Sequence, residues 1–249
     1  MKDILLNSGI GDAIAIESFL TPAERLELEI IYYACPAAQE IVNLFKALPN
    51  YPRLLSHVIL SSDSKLYRTF QEAEARFGPI PAEDFTLAAF LKQDRPYSGS
   101  SFLCHSLPKP KFLCTGDYAV ICPGSSWGMW PNRTFTQEDW EMTGSFLDDN
   151  ELFGVVLGKD LPIPDHDRFI DLTGETTVLE SIEILKGAKT YLGIDSWLSV
   201  LAAKLFENLS VKAVHTHAYR YQVFYYAPRQ VFSFLSPFLR GPKLLSPSL

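Results

Sequence analysis

Short apolar runs alternate with longer amphipathic segments along most of this chain, and that alternation constrains the fold more than any other feature. An apolar run of roughly four to eight residues has the length of a buried strand, whereas apolar residues recurring every three or four positions mark one face of a helix. Strands are predicted at residues 4–7, 28–34, 57–61, 118–122, 154–157, 191–194 and 211–216. Helices are predicted at 13–20, 37–47, 65–77, 137–147, 178–187 and 196–207. Strand then helix, repeated, is the pattern of β/α units around parallel sheets, so the fold class is α/β. Two of the helices carry start signals. Thr177-Val178-Leu179-Glu180 has the form of a capping box, and Thr136-Gln137-Glu138-Asp139 is a weaker version of it.

The rhythm breaks between residues 92 and 117, which hold Pro96, Pro108, Pro110 and a Ser98-Gly99-Ser100-Ser101 cluster. Such punctuation reads as a passage between two lobes. The pattern then restarts with a strand and a Gly-Ser turn. Two small Rossmann-like lobes are therefore expected: residues 1–116, including the connecting segment, and residues 117–249. The tail 241–249, with Pro242 and Pro247, is expected to fray.

Composition narrows the function classes. A 47% hydrophobic content supplies a large core, and a formal net charge of −7 disfavours a grip on a phosphate backbone. No basic stripe with interleaved aromatics is present, so no nucleic-acid partner is expected. No stretch approaches the ~18 apolar residues a membrane span needs. Ile4-Leu5-Leu6 is too short a run for a signal peptide, which points to a cytoplasmic protein. Cys35, Cys104, Cys114 and Cys122 form no C-x-x-C pair and read as reduced thiols. His215 and His217 share a strand face without an evident third ligand, so no metal site is expected. Asp165-His166-Asp167 reads as a solvated loop, and Asp148-Asp149 as a helix-end turn.

Three strand-to-helix junctions could carry chemistry. The first is Ser8-Gly9-Ile10-Gly11-Asp12, a small-residue turn that leaves backbone N–H groups at the sheet edge. Ile14 stands where a dinucleotide fingerprint needs its third glycine, and Ala34-Cys35 where it needs an acid, so that reading falls. Asp12 remains, as a helix cap or as a catalytic carboxylate. The second junction is Pro123-Gly124-Ser125-Ser126, whose glycine and hydroxyls suit an anion or make an ordinary turn. The third is Gly193-Ile194-Asp195-Ser196, running into Trp197 and Leu198 at a helix start whose free N–H groups again suit an anion. Leu198, Leu201 and Leu205 form that helix's apolar face.

Together with Asp171-Leu172-Thr173-Gly174-Glu175-Thr176-Thr177, these pieces make the chain resemble the bacterial heptosyltransferases and the wider ADP-heptose–lipopolysaccharide heptosyltransferase family. Gly11-Asp12 matches the family's Gly-Asp turn after the first strand. Gly124-Ser125-Ser126 and Trp130-Pro131 match its Gly-Ala/Ser-Ser turn and Trp-Pro. Asp171 to Thr177 matches Asp-Leu-Thr-Gly-Lys-Thr-Ser, and Gly193 to Ser196 with Leu201-Ala202-Ala203 matches Gly-Asn-Asp-Ser-Gly-x-x-His-Leu-Ala-Ala. The four motifs fall in family order across nearly the whole chain.

The resemblance implies a GT-B fold, two Rossmann-like lobes facing a cleft. It implies inverting, metal-independent sugar transfer from a nucleotide-sugar donor to a hydroxyl-bearing acceptor such as a glycan, with no cofactor. Asp12 would be the general base, with Ser8, Gly9 and Gly11 on the acceptor side. Gly124, Ser125, Ser126, Asp195, Ser196, Trp197 and Leu198 would hold the donor diphosphate. The aromatic stretch 224–238 would be the closing helix, or plain core packing. Departures fall on the donor side: Trp197 replaces a glycine, Val200 a histidine, Glu175 a lysine, and the lysine before Trp-Pro is missing. Arg133 is the one cation near that Trp-Pro. Two accounts therefore stand, a divergent glycosyltransferase and a catalytically inactive binding or assembly module on the same fold.

Overall fold

The computed structural model describes residues 3–6, 10–17, 20–33, 38–54, 56–59, 112, 114–124, 134–158, 161–194, 196–205, 210–213 and 232–234. The chain separates into two units, Met1–Leu107 and Pro108–Leu249.

The first unit contains a parallel three-stranded sheet in the order β1-β2-β3, with β1 at Asp3–Leu6, β2 at Ile30–Tyr33 and β3 at Ser56–Ile59. Ile4 pairs with Ile31, and Ile31 with His57. Helix α1 (Ile10–Glu17) follows β1 and α3 (Ala38–Lys46) follows β2. Ile10, Ala13, Ile14 and Glu17 are all buried on α1, the spacing of one inward face. That face extends the helix back to Ile10, three residues before the predicted start. Gly11 and Asp12 therefore lie inside the first helical turn, and the cap reading of Asp12 is corrected: the cap position precedes Ile10.

A second helix, α2 (Pro22–Glu27), is absent from the expectations, although its signals are in the sequence. Thr21 caps it, accepting from the Glu24 amide while Glu24 accepts from the Thr21 amide, and Pro22 fills the first turn. It carries Arg25 against buried Glu17, 3.1 Å from Nε to Oε1. Tyr51 donates to the same carboxylate at 2.9 Å and packs edge-on against Phe45. The end of α1, the last turn of α2 and the segment after α3 are thus tied at one buried carboxylate.

The second unit is built on a six-stranded parallel sheet in the order β6-β5-β4-β7-β8-β9. Its strands are β4 (Tyr118–Cys122), β5 (Phe153–Val156), β6 (Phe169–Asp171), β7 (Thr190–Gly193), β8 (Ser210–Ala213) and β9 (Phe232–Phe234). Helices α4 (Gln137–Asp149), α5 (Val178–Gly187) and α6 (Trp197–Leu205) connect them. Consecutive residues Ala119, Val120, Ile121 and Cys122 are all buried, as in a strand covered on both faces. One face packs Ala119, Ile121, Leu192 and Ile194 against Trp140 and Leu147 of α4. Phe135 and Phe169 flank Trp140 at ring distances of 5.1 and 5.2 Å.

Three expectations need correction here. Phe232–Phe234, inside the stretch expected as a closing helix, is a strand paired in parallel with β8, Val211 to Phe232. Its apolar–polar–apolar order has the period of a strand rather than a helix. Strand β6 was not expected, because Phe169-Ile170-Asp171 is a short edge strand. The Asp165-His166-Asp167 loop is only half solvated: His166 stacks on Phe169 at 4.7 Å and presses on Gly144 of α4. The predicted helix 65–77, the segment 92–111, His215, His217 and the tail 241–249 lie outside the described residues.

Candidate functional site

In a parallel sheet every strand ends at the same edge, so the loops that follow the strands gather there. The order of the six-stranded sheet adds a second constraint. From β4 the chain moves outward through β5 and β6, then returns to place β7 on the other side of β4. The loops after β4 and β7 therefore leave in opposite directions and open a crevice between them, the place where such sheets take ligands. Cys122 and Gly193 are register partners at that point, and the Ile194 amide donates to the Cys122 carbonyl at 3.1 Å. Two of the sequence candidates, some seventy positions apart, are thereby brought side by side. They are the turn beginning at Gly124 and the helix start at Ser196.

The Gly124 turn is anchored at both ends. Gly124 pairs antiparallel with Thr134, and the Phe135 amide donates to the Pro123 carbonyl at 2.7 Å. Ser125, Ser126, Trp130, Pro131 and Arg133 belong to the segment between these anchors, outside the described residues.

The helix start is held by side chains that sequence reasoning did not single out. Tyr191, 1% exposed, lies on β7 and reaches along its own strand to the Ile194 carbonyl, to which its hydroxyl donates at 3.0 Å. The same hydroxyl lies 3.1 Å from Ser196 Oγ. A Cβ at Gly193 would come within 2.6 Å of that hydroxyl and 2.7 Å of the Cys122 carbonyl. Glycine at 193 is therefore what lets the tyrosine lie over the strand end. Ser199, buried on the first turn of α6, accepts from the Ser196 amide at 2.8 Å and donates to the Ser196 carbonyl at 2.7 Å. Trp197 is half-buried, and Leu198 and Leu201 are in the core.

Cys122 closes the cluster from below. Its thiol donates to the Gly124 carbonyl at 3.5 Å. Complete burial pushes the thiol up from its ordinary range, and hydrogen bonds from Ser196 and Tyr191 and the Gly124 backbone pull it back only in part. It is a neutral packing group and not a nucleophile.

The motif after β6 has a structural explanation. The Asp171 carboxylate accepts from the Thr173 amide at 2.9 Å and from its hydroxyl at 2.7 Å. Gly174 then takes φ 70°, a left-handed conformation that costs glycine little. Thr177 caps α5 in a complete box with Glu180. Asp171, Gly174 and Thr177 thus build a turn and a helix start.

In the first unit, Gly11 and Asp12 sit in the opening turn of α1, after the end of β1. Ser8, Gly9 and Asp195 are outside the described residues. Among the described residues, no three of His, Cys, Asp and Glu are grouped so as to hold a metal ion. No described helix is long and apolar enough to cross a membrane. A broad depression lined by Asp148, Phe153, Asp165, His166, Asp167 and Arg168 opens at the opposite edge of the sheet, where β5 and β6 begin. Arg168 and Asp148 are paired there at 2.7 Å.

No protein-family model matches the sequence, and no curated protein matches it. Solved structures do match. The bacterial iron-containing dodecameric glycosyltransferase TibC from enterotoxigenic E. coli H10407 aligns with a TM-score of 0.53 and 14% identity over 94% of this chain. The fold is that of the heptosyltransferase-like GT-B glycosyltransferases. The dodecameric iron-containing heptosyltransferase TibC in complex with ADP-D-beta-D-heptose aligns over the same share with a TM-score of 0.51 and 14% identity. The chain spans 62% of the length of each of these two structures. E. coli heptosyltransferase WaaC with ADP matches more loosely, with a TM-score of 0.45 and 14% identity over 86% of either chain.

Proposed function

We propose that the chain is an inverting, metal-independent glycosyltransferase that moves a sugar from a nucleotide-sugar donor to a hydroxyl-bearing acceptor. The observation that supports it most is the reversal of strand order between β4 and β7, which sets the Gly124 turn beside the Ser196 helix start. A helix N-terminus and a Gly-Ser turn offer backbone N–H groups to a diphosphate without needing a bound cation. A heptosyltransferase of this fold in complex with ADP-D-beta-D-heptose supports a nucleotide-sugar as the ligand class.

The chemistry assigned to the residues is a single displacement. The Asp12 carboxylate takes the proton from the acceptor hydroxyl as that oxygen bonds to the anomeric carbon from the side opposite the leaving group. The bond from the anomeric carbon to the donor diphosphate breaks, and its electron pair leaves with the diphosphate. Ser125, Ser126 and the backbone N–H groups of Trp197 and Leu198, at the helix start that opens at Ser196, stabilise that charge. Asp195, directly before Ser196 in the sequence, is assigned to the donor side with them.

A catalytically inactive module on the same fold is the second reading. It is favoured by the engagement of both the Ser196 hydroxyl and the Ser196 amide within the protein itself.

Thermal unfolding in the presence of ADP-, UDP-, GDP- and CMP-sugars separates the readings. One nucleotide series is expected to raise the unfolding temperature, and silence from all four at millimolar concentration contradicts a donor site. With a working donor, Asp12→Asn should lower turnover by about 10²–10⁴-fold while leaving donor affinity within about twofold. Nucleotide binding with turnover absent, or indifferent to Asp12→Asn, would favour the inactive module.

A further inference from the structure

Helix α1 has eight residues, fewer than the ~12–15 an isolated helix needs in water, so tertiary contacts decide where it stands. Part of that contact is apolar, through buried Ile10, Ala13 and Ile14. Apolar burial is non-directional, so it settles which face points inward more firmly than how far α1 sits along its axis. The far end of the helix carries a directional contact. Glu17 is 0% exposed, and Arg25, 6% exposed, meets it at two points. Arg25 Nε lies 3.1 Å from the Glu17 carboxylate, and Arg25 Nη2 donates to the Glu17 backbone carbonyl at 2.9 Å. Tyr51, 34 residues further on, donates to the same carboxylate at 2.9 Å. Both holders are themselves fixed, Arg25 by the capped helix α2 and Tyr51 by its ring against Phe45.

We infer that Glu17 is a positioning residue: gripped by Arg25 and Tyr51, it fixes where α1 stands and, through the helix, the backbone at Asp12. The inference deepens the general-base reading above and rests on it. Asp12 and Glu17 are five residues apart on one helix, about 7.5 Å along its axis. Gly11, beside Asp12, gives the first turn conformational freedom, so that turn takes its place from the rest of the helix. An ion pair this buried is a poor source of stability, because the cost of taking two charges out of water offsets much of their attraction. Apolar side chains of similar size would serve packing as well. They would not supply the two-point grip on the carboxylate and carbonyl of one residue, which resists both sliding and rolling of α1.

The triple variant Glu17→Leu/Arg25→Met/Tyr51→Phe replaces the three side chains together, so that neither charge is left buried alone. It should fold and unfold thermally much as wild type does. With a working donor, its kcat should fall by about 10–10²-fold while KM for the donor stays within about twofold, the mark of a displaced base and not of a lost ligand contact. Combined with Asp12→Asn it should be no slower than the slower of the two, because both remove the same function. Wild-type kcat in the folded triple variant, or losses that multiply, overturns the inference and leaves Asp12 as the base. Asp12→Asn turning over like wild type overturns the base reading, and the inference with it. A second measurement needs neither donor nor the triple variant: amide NMR spectra of wild type and of Tyr51→Phe, which keeps the ring against Phe45. The Gly11 and Asp12 amides should shift together with that of Glu17. Changes confined to the neighbourhood of Glu17 and Tyr51 overturn the inference whatever the turnover.

Discussion

Tyr118 shows how a single side chain couples the second unit to pH. Its ring lies edge-on to Phe112, and its hydroxyl donates to the Ile184 carbonyl near the end of α5 at 2.7 Å. Burial, then Cys114 and Glu183, push its pKa up to about 12 from 10.0. The folded state therefore holds the Tyr118 proton more tightly than the unfolded chain does. Its stabilising contribution is complete below pH 10 and is lost as pH rises through about 12. Urea unfolding as a function of pH should show stability falling across that window, with a shallower fall in Tyr118→Phe. An equally steep fall in that variant would contradict the assignment. Buried Cys122, also raised, acts in the same direction and leaves a residual slope. None of this was legible in the sequence, because a tyrosine at a strand start carries no signal of which carbonyl it will meet. The same holds for Tyr191, whose role depends on the absence of a side chain at Gly193.

At the scale of elements, local chemistry carried far. The Thr177 box on α5 was readable because its reciprocal hydrogen bonds join residues three apart, and the structure has both, at 3.2 and 2.9 Å. The shorter Asp139 arm also closes its box on α4. Thr177→Ala should destabilise the protein by about 1 kcal/mol in chemical denaturation, through lost capping alone. A neutral result would mean that tertiary packing of Ile182 and Leu185, and not the cap, fixes where α5 begins. Elements whose existence depends on distant partners were harder to read. Strand β6 has three residues and earns its place by pairing with β5, Val155 to Ile170. Strand β9 sits among aromatic residues that are as plausible in a helix, and its pairing with β8 decides the matter. The start of α1 was misplaced because Gly11 looks like a helix breaker, whereas Ile10 and Ala13 bury the turn around it.

At the scale of the whole molecule, the β/α rhythm was enough to give parallel sheets, since parallel strands need crossovers and the amphipathic segments supply them. Strand order was not readable. It follows from which neighbours each strand pairs with, and only the structure shows the chain returning to place β7 beside β4. That return joins the Gly124 turn to the Ser196 helix start, so the candidate site is a product of topology more than of any motif. The motif after β6, matched to the same family, proved to be architectural in its Asp171 turn and Thr177 cap. Likeness to TibC at 14% identity reports the fold, and what the site binds has to be read from the site.

The most direct measurement is an amide NMR map of the intact chain during titration with ADP, UDP and GDP. A donor site at the point where strand order reverses predicts that one of them perturbs the amides of Ile121, Cys122 and Gly124 together with those of residues 193–199, saturably and ahead of the rest of the second unit. Perturbation confined to the opposite edge around His166 and Arg168, or none from any of the three, would contradict it.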